Sequence, residues 1–504
     1  MKRRCLIFIV AYHAETTIDK VVRRIPVSLA DEYDVDILII DDSSRDRTFE
    51  KSYDLTRDAD IPFNVRVLFN PVNQGYGGNQ KLGYRYAIEH KYDFVALLHG
   101  DGQYAPEYLP QLLAPLHRGD AAAVFGSRMM TPKAALRGGM PMYKYVGNKV
   151  LTWIQNRLLR STLTEFHSGY RTYSVEALKS IPFEYNANDF HFDTEIIIQL
   201  MIAKLPIIEL PIPTFYGDEI CRVNGLRYAA NVIGTTIKAR VQELSLFYDR
   251  KYDCAPAPRF PSSIRFSFDS PQSFALRMIP DGSRVIELGY SRGEVASALK
   301  QQKDCFVAGV AGIALGTERL DRFYLRDLNE GFEDIPLEDY DFVLLLDILE
   351  HLARPEAFLD ELREKLSLNP RVELVISTGN VAFIVTRLML LVGQFNYSKC
   401  GILDLTHTRL FTFSSLAHLL DQAGFDIYES RALPAPFPLA IGNSALSRLL
   451  SKLNSSLIRI SPRLFGYQMI VRVKARPTVT SLLRAAEEES AIRREKLALQ
   501  AHSG

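Results

Sequence analysis

The chain has 504 residues, more than one hydrophobic core can serve, so about two to four domains are expected. Hydrophobic content of 47% and charged content of 24% are those of an ordinary soluble globular protein. A net charge of +1 excludes a bulk field that would draw nucleic acid or an anionic surface, and leaves local basic clusters to bind phosphate.

The five cysteines (Cys5, Cys221, Cys254, Cys305, Cys400) are scattered and form no CxxC pair. That argues against a disulfide framework or a zinc site and fits a reducing cytosol. The opening "MKRRCLIFIVAYHAE" sets basic residues before an apolar run. The run is short and no small-residue cleavage site follows, so its likeness to a signal peptide is superficial. No stretch reaches the ~18 apolar residues that span a bilayer. The nearest, "VAFIVTRLMLLVG", is short and carries Arg387, so a soluble or peripheral protein is expected.

In chain order, "CLIFIVA", "VDILII", "VRVLF" and "FVALL" predict buried parallel strands. Between the first two, Ile18, Val21, Val22 and Ile25 fall at helical spacing. This βαβ pattern predicts a doubly wound α/β sheet with ligands at the C-terminal ends of its strands. "VDILII" runs into "DDSSRDRT", where Asp41 and Asp42 can accept hydrogen bonds from a ribose diol or a base N–H. The structural alternative is an Asp that caps the next helix.

Further motifs follow in order. "VAYHAE" closes the first strand with Ala11, Tyr12 and Glu15. "NQGYGGNQKLGYRYAI" supplies a glycine-rich turn with Gly77. "FVALLHGDGQYAPE" carries His99, Asp101 and Gln103, and "FGSRMM" carries Arg128. "EFHSGYRTYS" holds Glu165 and Arg171, and "FHFDTEI" holds Asp193 and Glu195. By order and spacing these motifs resemble the family 2 glycosyltransferases, most closely the dolichyl- or polyprenyl-phosphate mannosyltransferase type, over about residues 2–240.

The resemblance implies a glycosyltransferase-A (Rossmann-like) fold and an inverting hexosyltransferase that uses a GDP- or UDP-sugar. By match, Ala11, Tyr12, Glu15, Asp41, Asp42 and Gly77 bind the nucleotide sugar, and Arg128 lies near its diphosphate. Asp101 matches the second Asp of a metal-binding DxD motif and Gln103 a further metal-side ligand. Ser168, Gly169, Tyr170 and Arg171 match an SGFR-type motif beside acceptor and sugar. The sequence departs from the family at Val10 for proline, His13 for asparagine and Glu165 for aspartate.

His99 occupies the position of the first DxD carboxylate. A divalent ion stabilises charge growing on the diphosphate; Mg²⁺ prefers carboxylate oxygens, whereas imidazole suits Mn²⁺ better. His99 is therefore a candidate ligand, a phosphate contact or a filler of the loop. A hydroxyl acceptor needs a general base, for which Glu165, Asp193 and Glu195 are candidates. A phosphate acceptor needs cations instead, which Arg128, Arg171, Arg222 and Arg227 offer. The alternative for the three acids is pairing with these arginines.

In "DRKYDCAPAPRFPSSIRFSFDSP", Pro256, Pro258, Pro261 and Pro271 exclude a regular element. The expected division is a glycosyltransferase domain over 1–248, a proline-rich linker over 249–272, a second domain over 273–476 and a charged helical or disordered tail over 477–504. The second domain begins a new βα series. "RVIELGYSRGEVASAL" puts Glu287, Gly289 and Gly293 at a strand-to-helix turn. With "FVLLLDILEHLARPEAFLDEL" and "RVELVISTGN" it resembles the class I S-adenosylmethionine-dependent methyltransferases of the small-molecule O-methyltransferase group, over about residues 273–474.

By that match Glu287, Gly289, Gly293, Asp327 and Asp347 bind S-adenosylmethionine, and Glu350 and His351 line the methyl-transfer site. One departure stands out: Ala311 ends the second strand where an acidic residue should grip the ribose. Each such bond lost costs about 1.5–3 kcal/mol.

The expected protein is a metal-dependent nucleotide-sugar transferase acting on a polyprenyl-phosphate or glycan acceptor, fused to a methyltransferase of the same pathway. One alternative is transfer to a sugar or protein hydroxyl with a degenerate docking domain; another is a scaffold with two dead sites. The cofactors implied are Mg²⁺ or Mn²⁺ and S-adenosylmethionine, with no nucleic-acid partner. The location expected is cytoplasmic, or peripheral at the inner face of the membrane.

Overall fold

The apolar runs of the first half become strands buried on both faces. In the computed structural model, residues 2–213, 224–243, 248–254, 266, 268–289, 293–314, 316–367, 369–438 and 444–502 are described. The chain divides into two compact units, Met1–Pro256 and Ala257–Gly504.

The first unit is a seven-stranded sheet in the order β3-β2-β1-β4-β6-β5-β7. Its strands are β1 (Arg3–Ala11), β2 (Tyr33–Asp41), β3 (Asn64–Phe69), β4 (Phe94–His99), β5 (Ala123–Ser127), β6 (Arg171–Ser174) and β7 (Ile207–Pro211). All pairings are parallel except those of β6, which runs antiparallel between β4 and β5. Helix α1 (Ile18–Arg23) buries Ile18, Val21 and Val22 with Ile7, Ile9 and Ile37 on one face. Helices α2 (Tyr76–Glu89), α3 (Leu109–Arg118), α4 (Met142–Leu159), α5 (Phe192–Ile202) and α6 (Gly225–Glu243) follow. Tyr84 of α2 and Phe192, Ile196 and Ile197 of α5 cover the opposite face, against Leu6, Phe8 and Leu38. Each such aliphatic or aromatic side chain withdrawn from water contributes about 1.5–3 kcal/mol. Strand order reverses between β1 and β4, and Val10 pairs with His99 there. That switch point is where an open α/β sheet leaves a crevice for a ligand.

The second unit repeats the architecture with its own core. Its strands β8 (Arg284–Leu288), β9 (Phe306–Ala311), β10 (Arg322–Leu325), β11 (Phe342–Leu346), β12 (Glu373–Gly379), β13 (Phe425–Leu433) and β14 (Gln468–Ala475) take the order β10-β9-β8-β11-β12-β14-β13. Only β14 is antiparallel to its neighbours. Helices α7 (Pro271–Met278), α8 (Glu294–Lys303), α9 (Pro355–Leu366), α10 (Ile384–Leu391), α11 (Phe413–Gln422) and α12 (Ala445–Ile460) surround the sheet, and α13 (Val479–His502) closes the chain. Both sheets thus match the expected α/β class.

Two local expectations need correction. Pro271 does not exclude a helix; it occupies the first turn of α7, where its missing N–H is no loss, and Ser270 caps the helix. Residues 249–254 are not free linker either: Arg250–Tyr252 form a 3₁₀ turn, and Tyr252 is buried on Ile198 and Ala239. Pro256, Pro258 and Pro261 lie outside the described residues. In α13, Arg493 pairs with Glu489 at 2.8 Å, one turn apart. No helix among the described residues is long and apolar enough to cross a membrane.

Candidate active site

At the C-terminal ends of β1 and β2, Ala11 pairs with Asp41 and both are buried. Asp41 Oδ1 accepts from the Ser44 amide at 3.0 Å, while Oδ2 is buried without a partner. Burial pushes its carboxyl up from the ordinary range, against the Ser44 hydrogen bonds. A buried acceptor left open is what a base or ribose donor would fill. Asp42 is different. Its carboxylate takes hydrogen bonds from Asn70 Nδ2 and the amides of Gln74 and Gly75, at 2.8–3.0 Å. It shapes the loop into α2, a structural role beside the nucleotide contact expected of it. Glu15 is exposed and accepts from the Arg47 amide at 3.0 Å, and Tyr12 is exposed beside His13.

Gly77 is reassigned. Its amide donates to Asn188 O at 2.9 Å, and a Cβ there would lie 2.4 Å from Ala187 O. The glycine lets α2 start against the 187–188 backbone, so its amide is already spent on protein.

β4 delivers His99 and, just beyond it, Asp101. The imidazole stands edge-on to Tyr104 and Tyr76, with Gly169 beneath; a Cβ on Gly169 would meet His99 Cε1 at 2.5 Å. Tyr76 donates its hydroxyl proton to Asp193 Oδ2 at 2.9 Å, and Gln80 Nε2 reaches Asp193 Oδ1 at 3.2 Å. Tyr76 Oη is also 3.2 Å from His99 Nε2. With the tyrosine proton committed, that contact requires a proton on Nε2. Burial holds His99 below its ordinary range, opposed by Asp101 and Asp193, so the ring is neutral with its lone pair on Nδ1. Asp101 is exposed, and its Oδ1 accepts from the Gln103 amide at 3.0 Å.

Among the described residues no three His, Cys, Asp or Glu side chains come close enough to hold a metal alone. The donor set still fits an ion completed by diphosphate oxygens: one outward carboxylate, one imidazole nitrogen and Gln103 nearby.

Glu165, Arg128, Arg171 and Glu195 are all committed to partners within the protein. Glu165 accepts from the Arg128 amide at 2.7 Å, from its guanidinium and from Asn148 of α4 at 2.8 Å. Burial would raise its carboxyl, but Arg128 holds it below the usual range. Arg128 also donates to His167 O at 3.1 Å. Arg171 is 1% exposed and donates to the carbonyls of Ser168, Asp193 and Phe166 at 2.8–2.9 Å, with its guanidinium over the Phe125 ring. It braces the loop and is unavailable to an acceptor phosphate, contrary to the expectation for it. Glu195 faces Lys251 at 2.7 Å, Thr235 at 2.9 Å and the Ala187 amide at 2.6 Å, which withdraws it from the candidate bases. Arg227 is exposed at the start of α6; Arg222 lies outside the described residues. Sequence reasoning passed over Tyr76 and His167. His167 Nδ1 meets Tyr228 Oη at 2.8 Å, while Nε2 is buried without a partner and burial pushes the ring down to about 4. Its place beside the SGYR motif was the available signal.

In the second unit, Glu287 at the end of β8 is buried with Oε2 unpartnered, and burial pushes it up to about 7. Gly289 has φ +80°, and a Cβ there would lie 2.2 Å from Ile348 Cδ1. The space over this glycine is thus taken by the chain itself, not left open to a ligand. Gly293 caps α8 with φ +70°, while residues 290–292 between them lie outside the described residues. Asp347, at φ +57°, accepts from Ser377 Oγ at 2.8 Å and Gln468 Nε2 at 3.0 Å. Glu350 Oε2 is buried and unpartnered; burial and Asp347 push this carboxyl up to about 8. Asp327 accepts from the Asn329 amide at 2.9 Å, and its Cα lies 4.0 Å from a Cβ built on Gly312, beside the end of β9. His351 contacts Thr406 and stands edge-on to His407. Ala311 is 9% exposed in an apolar cluster.

The family model described as glycosyl transferase family 2 matches residues 6–181, and one described as a methyltransferase domain matches residues 264–430. The chain is 31% identical over 221 residues to a UDP-N-acetylglucosamine–dolichyl-phosphate N-acetylglucosaminyltransferase of Methanococcus voltae, covering 42% of this chain and 86% of that protein. The chain belongs to glycosyl transferase family 2. A second relative, an undecaprenyl-phosphate mannosyltransferase of Micrococcus luteus, is 30% identical over 190 residues, 37% of this chain and 73% of that protein. A polyprenol monophosphomannose synthase of Mycolicibacterium smegmatis is 26% identical over 219 residues, 43% of this chain and 79% of that protein. This family 2 glycosyltransferase therefore carries a methyltransferase domain behind its transferase domain.

Proposed function

We propose that the first unit transfers a sugar from a GDP- or UDP-sugar to a polyprenyl phosphate at a membrane surface, by an inverting displacement. The observation that carries this is the commitment of every acid offered as a base. Glu165 is spent on Arg128, Glu195 on Lys251 and Thr235, and Asp193 on Tyr76 and Gln80. An ionised phosphate needs no base, whereas a hydroxyl acceptor does. The relatives' lipid-phosphate acceptors point the same way. So does α4. Its inner face is polar, with Asn148, Thr152 and Gln155 buried, while Met142, Tyr143, Val146, Val150 and Trp153 are exposed, Trp153 by 69%. The helix has three cations and no acid. Such a face suits a lipid headgroup boundary.

Asp101 and His99 would hold the divalent ion, which when bound neutralises charge growing on the diphosphate leaving group. Tyr76 and Asp193 hold His99 in the tautomer that leaves Nδ1 as an acceptor. Asp41 Oδ2 is the open acceptor for the nucleoside. The second unit we assign to S-adenosylmethionine-dependent methyl transfer in the same glycan pathway. The unpartnered Glu287 carboxylate is suited to the cofactor's ammonium group. Ala311, together with Ile348 over Gly289, favours a second reading, a docking module that binds no cofactor.

Full-length protein incubated with radiolabelled UDP- or GDP-sugar and polyprenyl phosphate in detergent should place label in the organic-extractable fraction. Chelator or Asp101→Ala should remove nearly all of it with the fold retained. Label appearing only on a soluble glycan overturns the lipid acceptor, and full activity in chelator overturns the metal.

A further inference from the structure

Helix α12 (Ala445–Ile460) is turned inside out for a protein in water. Its buried residues are Ser447 and Asn454, and Asn454 accepts from the Ala435 amide at 2.8 Å and donates to Phe465 O at 2.9 Å. Leu446, Leu449, Leu453 and Ile460 form a stripe at helical spacing that faces away from the unit; Leu449 is 63% and Ile460 78% exposed. Burial of apolar surface is the usual source of helix stability in a globular protein, and here this stripe supplies none of it. The start of α10 lies near the end of α12. Asn380, just ahead of α10, donates to the carbonyls of Arg463 and Gly466, just past α12. In and after α10, Leu388, Leu391 and Val392 are exposed, Leu391 by 81%.

Charge decides what covers this surface. From Ser430 to Ala486 the sequence holds no Asp or Glu, while Arg448, Lys452, Arg459 and Arg463 lie on or beside α12. Arg387, exposed in α10, adds to them, and the sequence has no acid between Asn380 and Leu403. An isologous dimer must present a patch complementary to itself, and two segments that carry cations and no acid would set like charges together. An apolar stripe with cations on the remaining face matches the headgroup boundary of an anionic bilayer, where leucines enter the acyl region and Lys and Arg reach phosphates.

We infer that α12, with the end of α10, docks the methyltransferase unit onto an anionic lipid surface. This surface belongs to the second unit and stands whether or not the first unit's acceptor is a lipid.

Full-length protein should sediment with vesicles containing phosphatidylglycerol and far less with pure phosphatidylcholine vesicles, and binding should weaken in high salt. Leu449→Glu with Leu453→Glu should lower the partition coefficient at least about tenfold. Lys452→Glu with Arg459→Glu, both exposed and so harmless to folding, should lower it by a similar factor on anionic vesicles only. Trp153→Glu in α4 separates this inference from the lipid-acceptor reading. If that variant alone abolishes binding while both α12 variants bind like the parent, the inference falls and the reading for α4 stands. Equal binding to neutral and anionic vesicles overturns it. So does conversion of a larger assembly to monomer in light scattering by the α12 variants, because a second copy then covers the stripe.

Discussion

Tyr76 has one hydroxyl proton and two neighbours that compete for it. Giving it to Asp193 forces His99 to protonate Nε2, so a tyrosine outside the HGDGQ motif decides which imidazole nitrogen keeps its lone pair. Tyr76→Phe should leave folding intact and weaken Mn²⁺ binding about 10–100-fold, the usual cost of losing a partner that orients a metal-binding histidine. Titration of Mn²⁺ by electron paramagnetic resonance checks this, and unchanged affinity would remove His99 from the ligand set. The Arg128–Glu165 pair is buried and hydrogen-bonded throughout. Glu165→Gln leaves a buried cation short of its charge partner and should cost about 3–5 kcal/mol in denaturant unfolding of the first unit. In the second unit, burial raises Glu287 to about 7 and Glu350 to about 8. An unfolded glutamate titrates near ~4.3, so the folded unit holds these protons more tightly. Their contribution is complete below about pH 4 and lost as pH rises through about 7 to 8. The denaturant midpoint of the second unit should therefore fall between about pH 5 and 8, and Glu350→Gln should flatten part of that slope.

Strands were the legible elements. Parallel strands buried on both faces must be continuous apolar runs, and β1, β2, β4 and β11 are written that way. Helix faces were less legible, because α4 and α12 bury polar residues and expose apolar ones. The pattern of such a helix says that it has two faces and leaves open which one meets the protein. The glycine-rich turn, matched to nucleotide-sugar binding through Gly77, shows a related limit. It has the composition of a phosphate cradle, but its amides and empty Cβ positions are used against Asn188 and Ala187. Gly77→Ala should cost about 1–3 kcal/mol by overpacking against rigid backbone, read from thermal or denaturant unfolding. At the end of β9, Ala311→Asp restores a ribose acceptor and should tighten S-adenosylmethionine by about tenfold or more in calorimetry. Absence of binding by both proteins at millimolar cofactor would assign the unit to docking.

Each unit has its own sheet and its own buried clusters, the first with Ile7, Phe8 and Leu97 and the second with Ile286, Leu345 and Ile376. Residues 1–256 and 257–504 expressed separately should each unfold in one cooperative transition, and the whole chain in two. Loss of cooperativity in either piece would show that the two cores depend on each other.

The order of motifs along the chain was enough to reach the family and both α/β sheets. Strand periodicity and the spacing of strand-end acids are local properties, and local properties are written in consecutive residues. Asp41 and Glu287 were readable for this reason: each stands at the end of an apolar run. Which charges remain free was decided only by packing. Arg171 spends its guanidinium on Ser168, Asp193 and Phe166, and Glu195 meets Lys251 from 56 residues away. A buried charge is stable only when paired and hydrogen-bonded, and its partners come from wherever the fold brings them. The sequence therefore named the ionisable groups, and the tertiary structure divided them into those that hold the fold and those left open to a ligand.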